Sequence, residues 1–226
     1  MVFRNARTTL GQVFYQRCFY LFIAILLLIV GIPLIEQMPF GRMAAGTIHM
    51  LMIVSIVAAV GRSGLSFTAA LLLAVPSLVF QWLHLSESFP GMEILWLGFG
   101  VALYILTLGY LLNYVFRQDV MTSDKLYGAA SAYLLIGVLW AYIYALVEQF
   151  HPNSFAIAGT PATPSVNEFL YFSFTTLTST GFGDMVPLSQ QARSWCIVEQ
   201  IGGTMFVAIL IARLSGVYPP RPPGTN

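Results

Sequence analysis

Long apolar runs separated by short polar segments dominate this chain. Crossing the hydrocarbon core of a bilayer takes about 20 predominantly apolar residues. Runs of this kind cover residues 18–35, 43–60, 65–85, 94–116, 126–147 and 194–214. The polar segments between the first five runs are short, so consecutive helices are expected to be antiparallel neighbours. The pattern therefore predicts an all-α, multi-pass membrane protein with six transmembrane helices.

The stretch between the fifth and sixth runs has a different pattern. Residues 148–166 are polar and contain prolines, which favours an extracellular turret. Residues 167–178 are aromatic and too short to span, and Gly181 and Gly183 follow them. Non-helical backbone at membrane depth is tolerated only where protein buries it or where it lines a water-filled cavity. We therefore predict a re-entrant pore helix that is followed by a glycine-bearing loop.

This pattern divides the chain into three parts. Residues 1–120 are predicted to form a four-helix transmembrane region, residues 121–216 a pore domain, and residues 217–226 a short cytoplasmic tail. The apolar run at 18–35 is longer than the core of a signal peptide, which has about 7–15 residues. We therefore expect a retained first helix, with a cleaved signal peptide as the alternative.

Basic residues predict the orientation, because they concentrate in cytoplasmic loops. With the N-terminus inside, the outer side carries only Arg42 and Arg193. The inner side then carries Arg4, Arg7, Arg17, Arg62, Arg117, Lys125, Arg213 and Arg221. Both termini are therefore expected to be cytoplasmic. The compact loops are compatible with a bacterial inner membrane.

Composition agrees with a bilayer location and excludes several functions. Hydrophobic residues make up 58% of the chain and charged residues 8%, whereas soluble domains carry about 25% charged residues. A net charge of +1 gives no indication of nucleic-acid binding. Cys18 and Cys196 fall in different spans and are interpreted as core thiols. The chain has no nucleotide-binding, metal-cluster or hydrolase motif, so we expect no enzyme activity.

Residues 175–184 read TTLTSTGFGD and are followed by Met-Val-Pro, with an apolar helix on each side. This segment resembles the selectivity filter of the tetrameric potassium channel superfamily, usually written TVGYGD. The resemblance covers about residues 121–216. It implies a homotetramer in the membrane, with K⁺ as the permeant ion and no other cofactor. Backbone carbonyls would replace the hydration shell of the ion. The coordinating positions implied are Ser179, Thr180, Gly181, Phe182 and Gly183.

The filter segment departs from the family pattern at three positions. Ser179 keeps the hydroxyl of the usual threonine, Thr180 replaces valine, and Phe182 replaces tyrosine. The pore-helix positions that match the aromatic cuff are Tyr171 and Phe172, without an indole. With the usual hydrogen bond lost, ring packing is expected to brace the filter. Residues expected to support the filter are Thr175, Thr176, Thr178, Asp184 and Glu199.

Two features of the sixth run attract attention. Gly202 and Gly203 lie where inner helices of this family often carry a gating hinge, and close helix packing is the alternative interpretation. Glu199 is an acidic residue inside the span, which by default marks a functional site. We hypothesise that Glu199 approaches Thr175 or Thr176 from behind the filter and replaces the acidic partner of Asp184. The alternative is a glutamate with no special role.

The four-helix region lacks the signature of a voltage sensor, which is a basic residue at every third position of the fourth helix. Residues 94–116 contain no charge. His49 and His84 are interpreted as hydrogen-bonded packing residues, and a proton sensor is the alternative, because histidine in general titrates near neutral pH. The sequence thus predicts a potassium-selective channel that is not conventionally voltage-gated. The alternatives are a non-selective or sodium-permeable channel, a non-conducting receptor or accessory subunit, and a secondary transporter.

Overall fold

A computed structural model describes residues 17–35, 38–61, 64–86, 91–117 and 122–217. Its long helices are α1 (Arg17–Ile35), α2 (Gly41–Val60), α3 (Gly64–Leu85), α4 (Met92–Phe116), α5 (Ser123–Phe150) and α7 (Gln190–Val217). In the described part of the chain, these six are long and apolar enough to cross a membrane. The predicted all-α fold with six spanning helices is therefore confirmed. Arg4, Arg7, Arg62, Arg221 and residues 218–226 lie outside the described residues.

The four-helix region packs directly on the pore region. Helices that are consecutive in sequence pack against each other. In addition, α1 packs against α5, so α5 contacts both α1 and α4. Consequently α5 is the most deeply buried of the spanning helices, with 61% of its membrane window covered by protein. Glycine allows one of these close approaches, because a Cβ on Gly100 of α4 would lie 2.7 Å from the ring of Tyr142.

A short helix, α6 (Val166–Leu177), lies between α5 and α7. Its N-terminus is fixed by a capping box: the Ser165 hydroxyl accepts from the Glu168 N–H, and the Glu168 carboxyl group accepts from the Ser165 N–H. The aromatic face of α6 is buried, and Phe169 and Phe172 pack edge-to-face on Phe155. The helix begins one residue earlier than predicted and ends one residue earlier, just before the filter segment.

A small antiparallel sheet, which the sequence pattern did not indicate, joins two strands of the predicted turret to a third strand that follows the filter segment. Its strands are β1 (Phe155–Ile157), β2 (Thr160–Ala162) and β3 (Met185–Pro187), in the order β2-β1-β3. Residue Phe155 pairs with Ala162 on one side and with Pro187 on the other. Because β3 follows the filter segment directly, the sheet fixes the point at which the chain leaves the filter.

Candidate pore and selectivity filter

The loop from Ser179 to Gly183 has φ angles of opposite sign at alternate residues. Ser179, Gly181 and Gly183 have φ values of 56°, 54° and 81°. Glycine adopts this left-handed region at little cost, as expected for the two glycines. Ser179 was not expected there, because a side chain in this region costs roughly 1–2 kcal/mol. The strain implies that the surrounding bonds over-determine this backbone conformation.

Backbone hydrogen bonds hold the start of this loop to the end of α6. The Thr175 carbonyl accepts from the N–H groups of Thr180 at 2.8 Å and Gly181 at 3.1 Å, and the Thr176 carbonyl accepts from Ser179 at 2.9 Å. Side chains add a contact of 2.8 Å between the hydroxyls of Thr178 and Thr180. These bonds place Thr175, Thr176 and Thr178 directly beside the loop.

The carbonyl groups of the loop are available to a ligand. In the described part of the chain, no backbone N–H bonds to a carbonyl between Ser179 and Gly183. All five residues of the loop are exposed on the single chain. Backbone carbonyls require partners, and a partner of these carbonyls can approach from the exposed side of the loop. The arrangement therefore suits repeated cation coordination by carbonyl oxygens.

An aromatic ring and a carboxylate brace the outer end of the loop. Tyr171 of α6 stacks on Phe182 with the ring planes 3° apart and the centroids 6.3 Å apart. The Tyr171 hydroxyl donates a hydrogen bond of 2.8 Å to Asp184. This bond to a carboxylate raises the pKa of the Tyr171 phenol. Asp184 also accepts from its neighbour Met185 N–H at 3.0 Å.

The position of Glu199 differs from the hypothesis based on sequence. Its carboxyl group contacts neither Thr175 nor Thr176. Instead, one oxygen lies 2.5 Å from the Ser173 hydroxyl, and Tyr144 of α5 donates to the other oxygen. Ser173 and Tyr144 carried no signal in the sequence, since each is a common polar residue in an apolar helix. The hydrogen bond of Glu199 to α6 therefore lies two to three residues further from the filter than expected.

A second buried glutamate, Glu148, was also missed, because the sequence pattern assigned it to the turret loop. It lies in the last turn of α5. Its two carboxyl oxygens accept the N–H groups of Asn153 at 2.7 Å and Ser154 at 2.9 Å. The Ser154 carbonyl in turn accepts from Leu188 and Ser189 after β3. Glu148 thus connects α5, the turret and the segment beyond the filter.

The two glycines of α7 have different surroundings. A Cβ on Gly203 would lie 2.5 Å from the carbonyl oxygen of Leu177, the last residue of α6. A Cβ on Gly202 would meet nothing within 4 Å. Close packing therefore explains Gly203, and α7 continues through both residues without a break. A hinge at Gly202 stays a prediction.

A buried polar cluster joins the four-helix region to α5. His49 contacts Gln81 at 2.5 Å and the hydroxyls of Tyr104 and Tyr142 at 2.7 and 2.8 Å. A cavity of about 350 Å³ adjoins it and extends to the N-terminus of α6. His84 stacks on Trp96 at the same cavity. Both ring nitrogens of His49 are thus hydrogen-bonded, which agrees with the interpretation as a packing histidine.

The part of the chain around the filter loop is similar to known ion channels. A family model described as ion channel matches residues 129–218, which comprise most of α5, the pore helix α6, the filter loop and α7. The chain is also 27% identical over 199 residues to the voltage-gated potassium channel Kch of Escherichia coli (strain K12). These matches confirm the resemblance of this region to the potassium channel superfamily.

The match with Kch covers 84% of this chain but 43% of the bacterial protein, so the chain spans less than half the length of that relative. No solved structure matches the chain.

Proposed function

We propose that this protein is a potassium-selective channel that conducts K⁺ passively through a central pore formed by four copies of the chain. The observation that carries the proposal is the loop from Ser179 to Gly183. Its φ angles alternate in sign, its carbonyls are free of backbone hydrogen bonds within the described chain, and it lies on an exposed surface. Carbonyl oxygens in such rings replace the hydration shell of K⁺.

Exposure of the loop supports assembly into a homotetramer. One chain offers carbonyls from one side, so a closed ring around an ion needs symmetric copies. The face of α7 is also largely uncovered, with Ile197, Ile201 and Met205 all more than half exposed. These apolar side chains suit contacts with further subunits and with membrane lipids.

The distribution of basic residues supports cytoplasmic termini. The Arg117 carbonyl accepts from Lys125 at 3.2 Å and from Arg213 at 3.1 Å. These residues lie at the ends of α4, α5 and α7 that face away from the turret. Arg42 lies in the first turn of α2. Arg193 lies in the first turn of α7 beside the turret sheet, where its side chain donates to the Pro187 carbonyl. The positive-inside rule then places the turret outside the cell.

A non-selective cation channel is the second candidate, and Phe182 favours it. This side chain is 69% exposed and lacks the hydroxyl that the family usually has here. At its outer end, the filter is braced by the stacking of Phe182 on Tyr171 and by the hydrogen bond from Tyr171 to Asp184. A less rigid filter would discriminate less between K⁺ and Na⁺.

Flux of K⁺ and Na⁺ into liposomes that contain the purified full-length protein tests the proposal. K⁺ flux that far exceeds Na⁺ flux is the expected result. Similar fluxes of the two ions would replace it with the non-selective channel. No flux of either ion from a protein of tetrameric mass, at any voltage or pH applied, would favour a non-conducting receptor or accessory subunit.

A further inference from the structure

Glu199 connects α7 to the pore helix α6 and to α5. It lies in α7, it has no exposed surface, and its carboxyl group contacts Ser173 of the pore helix α6 and Tyr144 of α5. Both partners are hydroxyl groups. Among the described residues, no basic side chain is within ion-pair distance of this carboxyl group. An unpaired charge at such a position inside a membrane protein is costly.

A count of hydrogens indicates the charge of Glu199. The Ser173 hydroxyl lies 2.8 Å from the Gly137 carbonyl and 2.5 Å from the Glu199 carboxyl oxygen. A serine hydroxyl carries one hydrogen, and a carbonyl carries none. One hydrogen cannot serve both contacts, so both are hydrogen bonds only if Ser173 donates to Gly137 and a protonated Glu199 donates to Ser173. Tyr144 supplies the hydrogen to the other carboxyl oxygen.

Glu148 provides the opposite case within the same fold. This buried glutamate accepts two backbone N–H groups, one on each oxygen. Backbone N–H groups only donate, so both oxygens of Glu148 act as acceptors. The two buried glutamates thus differ in their partners: Glu148 faces backbone N–H groups, and Glu199 faces hydroxyl groups.

We propose that Glu199 is held as a neutral carboxylic acid that positions the pore helix, and that its ionisation at alkaline pH loosens the filter and lowers conduction. The effect on conduction rests on the proposed channel function. In the ionised state only the hydroxyls of Ser173 and Tyr144 supply hydrogens to the three contacts. Ser173 would then donate to Glu199, and no hydrogen would lie between the Ser173 and Gly137 oxygens. Ser173 lies two residues before Thr175, whose carbonyl holds Thr180 and Gly181 of the filter. A displaced pore helix therefore acts directly on the filter.

Other titratable groups face Glu199 and need their own variants. These are Tyr133 and Tyr144 on α5 and Cys196 on α7. The pore helix contributes Ser173, which does not ionise in this range. Tyrosine and cysteine also ionise at alkaline pH, so Tyr133→Phe and Cys196→Ser serve as controls. Both controls should keep the alkaline sensitivity of the unmodified protein.

Infrared spectroscopy of the full-length protein in phosphatidylcholine vesicles tests the protonation state without requiring conduction. We expect a carbonyl band of a protonated carboxyl group at neutral pH, loss of this band at alkaline pH, and its absence in Glu199→Gln. The band should persist in the matched control Glu148→Gln. If Glu199→Gln fails to assemble, Tyr144→Phe replaces it, because removal of the phenol should shift the frequency of the same band. Absence of a band that responds to either Glu199 or Tyr144 would overturn the proposal.

Potassium flux in the same vesicles tests the effect on the pore. The readout for each variant is its flux at alkaline pH divided by its own flux at neutral pH. We expect this ratio to fall well below one in the unmodified protein and to return towards one in Glu199→Gln. An equal fall in both proteins would overturn the regulatory part of the proposal. If the unmodified protein shows no flux at any pH, the channel function fails, whereas the infrared band still decides the protonation of Glu199.

Discussion

The φ angle of Gly181 makes the filter loop sensitive to a single methyl group. At φ 54° an alanine would cost roughly 1–2 kcal/mol, although its Cβ would meet nothing within 4 Å in the single chain. The effect therefore acts on the backbone conformation and would recur in every copy of the proposed tetramer. We expect Gly181→Ala to lower K⁺ flux into liposomes by more than about tenfold, since 1.4 kcal/mol corresponds to a factor of ten.

Gly159 offers a matched control for this substitution. It has a φ of 82° in the turn between β1 and β2, and a Cβ there also meets open space. Gly159→Ala should carry a similar backbone cost and leave the K⁺ flux per assembled channel unchanged. Equal loss of flux in both variants would show that general destabilisation, and not the filter conformation, is measured.

The bond between Tyr171 and Asp184 is the side-chain brace of the outer filter. Tyr171→Phe removes this bond of 2.8 Å and keeps the ring that stacks on Phe182. Without this bond, only the ring stacking of residue 171 on Phe182 still links the pore helix to the outer end of the loop. We therefore expect faster decline of K⁺ current at constant voltage in planar bilayers.

A double-mutant cycle isolates this contact. Asp184→Asn alone should accelerate the decline of the current, and the pair of substitutions should add little to either one. Strictly additive effects of Tyr171→Phe and Asp184→Asn would mean that the two side chains act on the filter separately.

At the scale of elements, Gly203 determines how closely α7 approaches the end of the pore helix. A methyl group at Gly203 would lie 2.5 Å from a backbone carbonyl, which cannot rotate away. Overpacking of this kind costs about 1–3 kcal/mol. We expect Gly203→Ala to lower the thermal midpoint of unfolding of the purified protein and its K⁺ flux.

Gly202 is the neighbouring control. Gly202→Ala meets no atom within 4 Å in the single chain, and alanine is better than glycine by about 1 kcal/mol inside a helix. Its thermal midpoint should stay the same or rise. A loss of flux in Gly202→Ala with an unchanged thermal midpoint would instead support a hinge at this position. A midpoint lowered equally in both variants would contradict the packing explanation of Gly203.

The elements differ in how far the sequence could predict them. Apolar runs of membrane length and the short polar segments between them gave all six spanning helices, and α6 shifted by a single residue. The turret sheet was missed, because the pairing of Phe155 with Pro187 joins residues 32 positions apart and short strands carry no periodic signal. Glu148 was missed for a related reason, since its partners are backbone groups beyond the helix end.

In the candidate site too, contacts between side chains that are distant in sequence could not be predicted. A motif specified the filter loop, because its glycines reflect a backbone requirement that is local in sequence. The partners of Glu199 were not predictable, because Ser173 and Tyr144 lie on two other helices and their proximity depends on tertiary packing. Which histidine would be buried in a polar cluster was equally a question of packing, as the contacts of His49 with three helices show.

At the scale of the whole molecule, the four-helix region packs on α5 and yet carries few charges that a voltage could move. Within α4, the only charged residue is Glu93, which lies in the first turn. Moving one elementary charge through 100 mV supplies about 2.3 kcal/mol, and steep gating needs several such charges in each subunit. The name of the relative Kch includes voltage gating, but α4 of this chain offers no row of basic residues for it.

We therefore expect the open fraction of the channel to depend only weakly on voltage. Single-channel recording in planar bilayers, over a range of about 200 mV, measures this dependence directly. Glu93→Gln should leave the weak dependence unchanged, because a charge at the end of a helix crosses little of the field. A steep rise in open fraction that corresponds to several charges per channel would contradict the prediction. The search for its source would then turn to the pore itself, where ions that enter the filter carry charge through the field without any movement of α4.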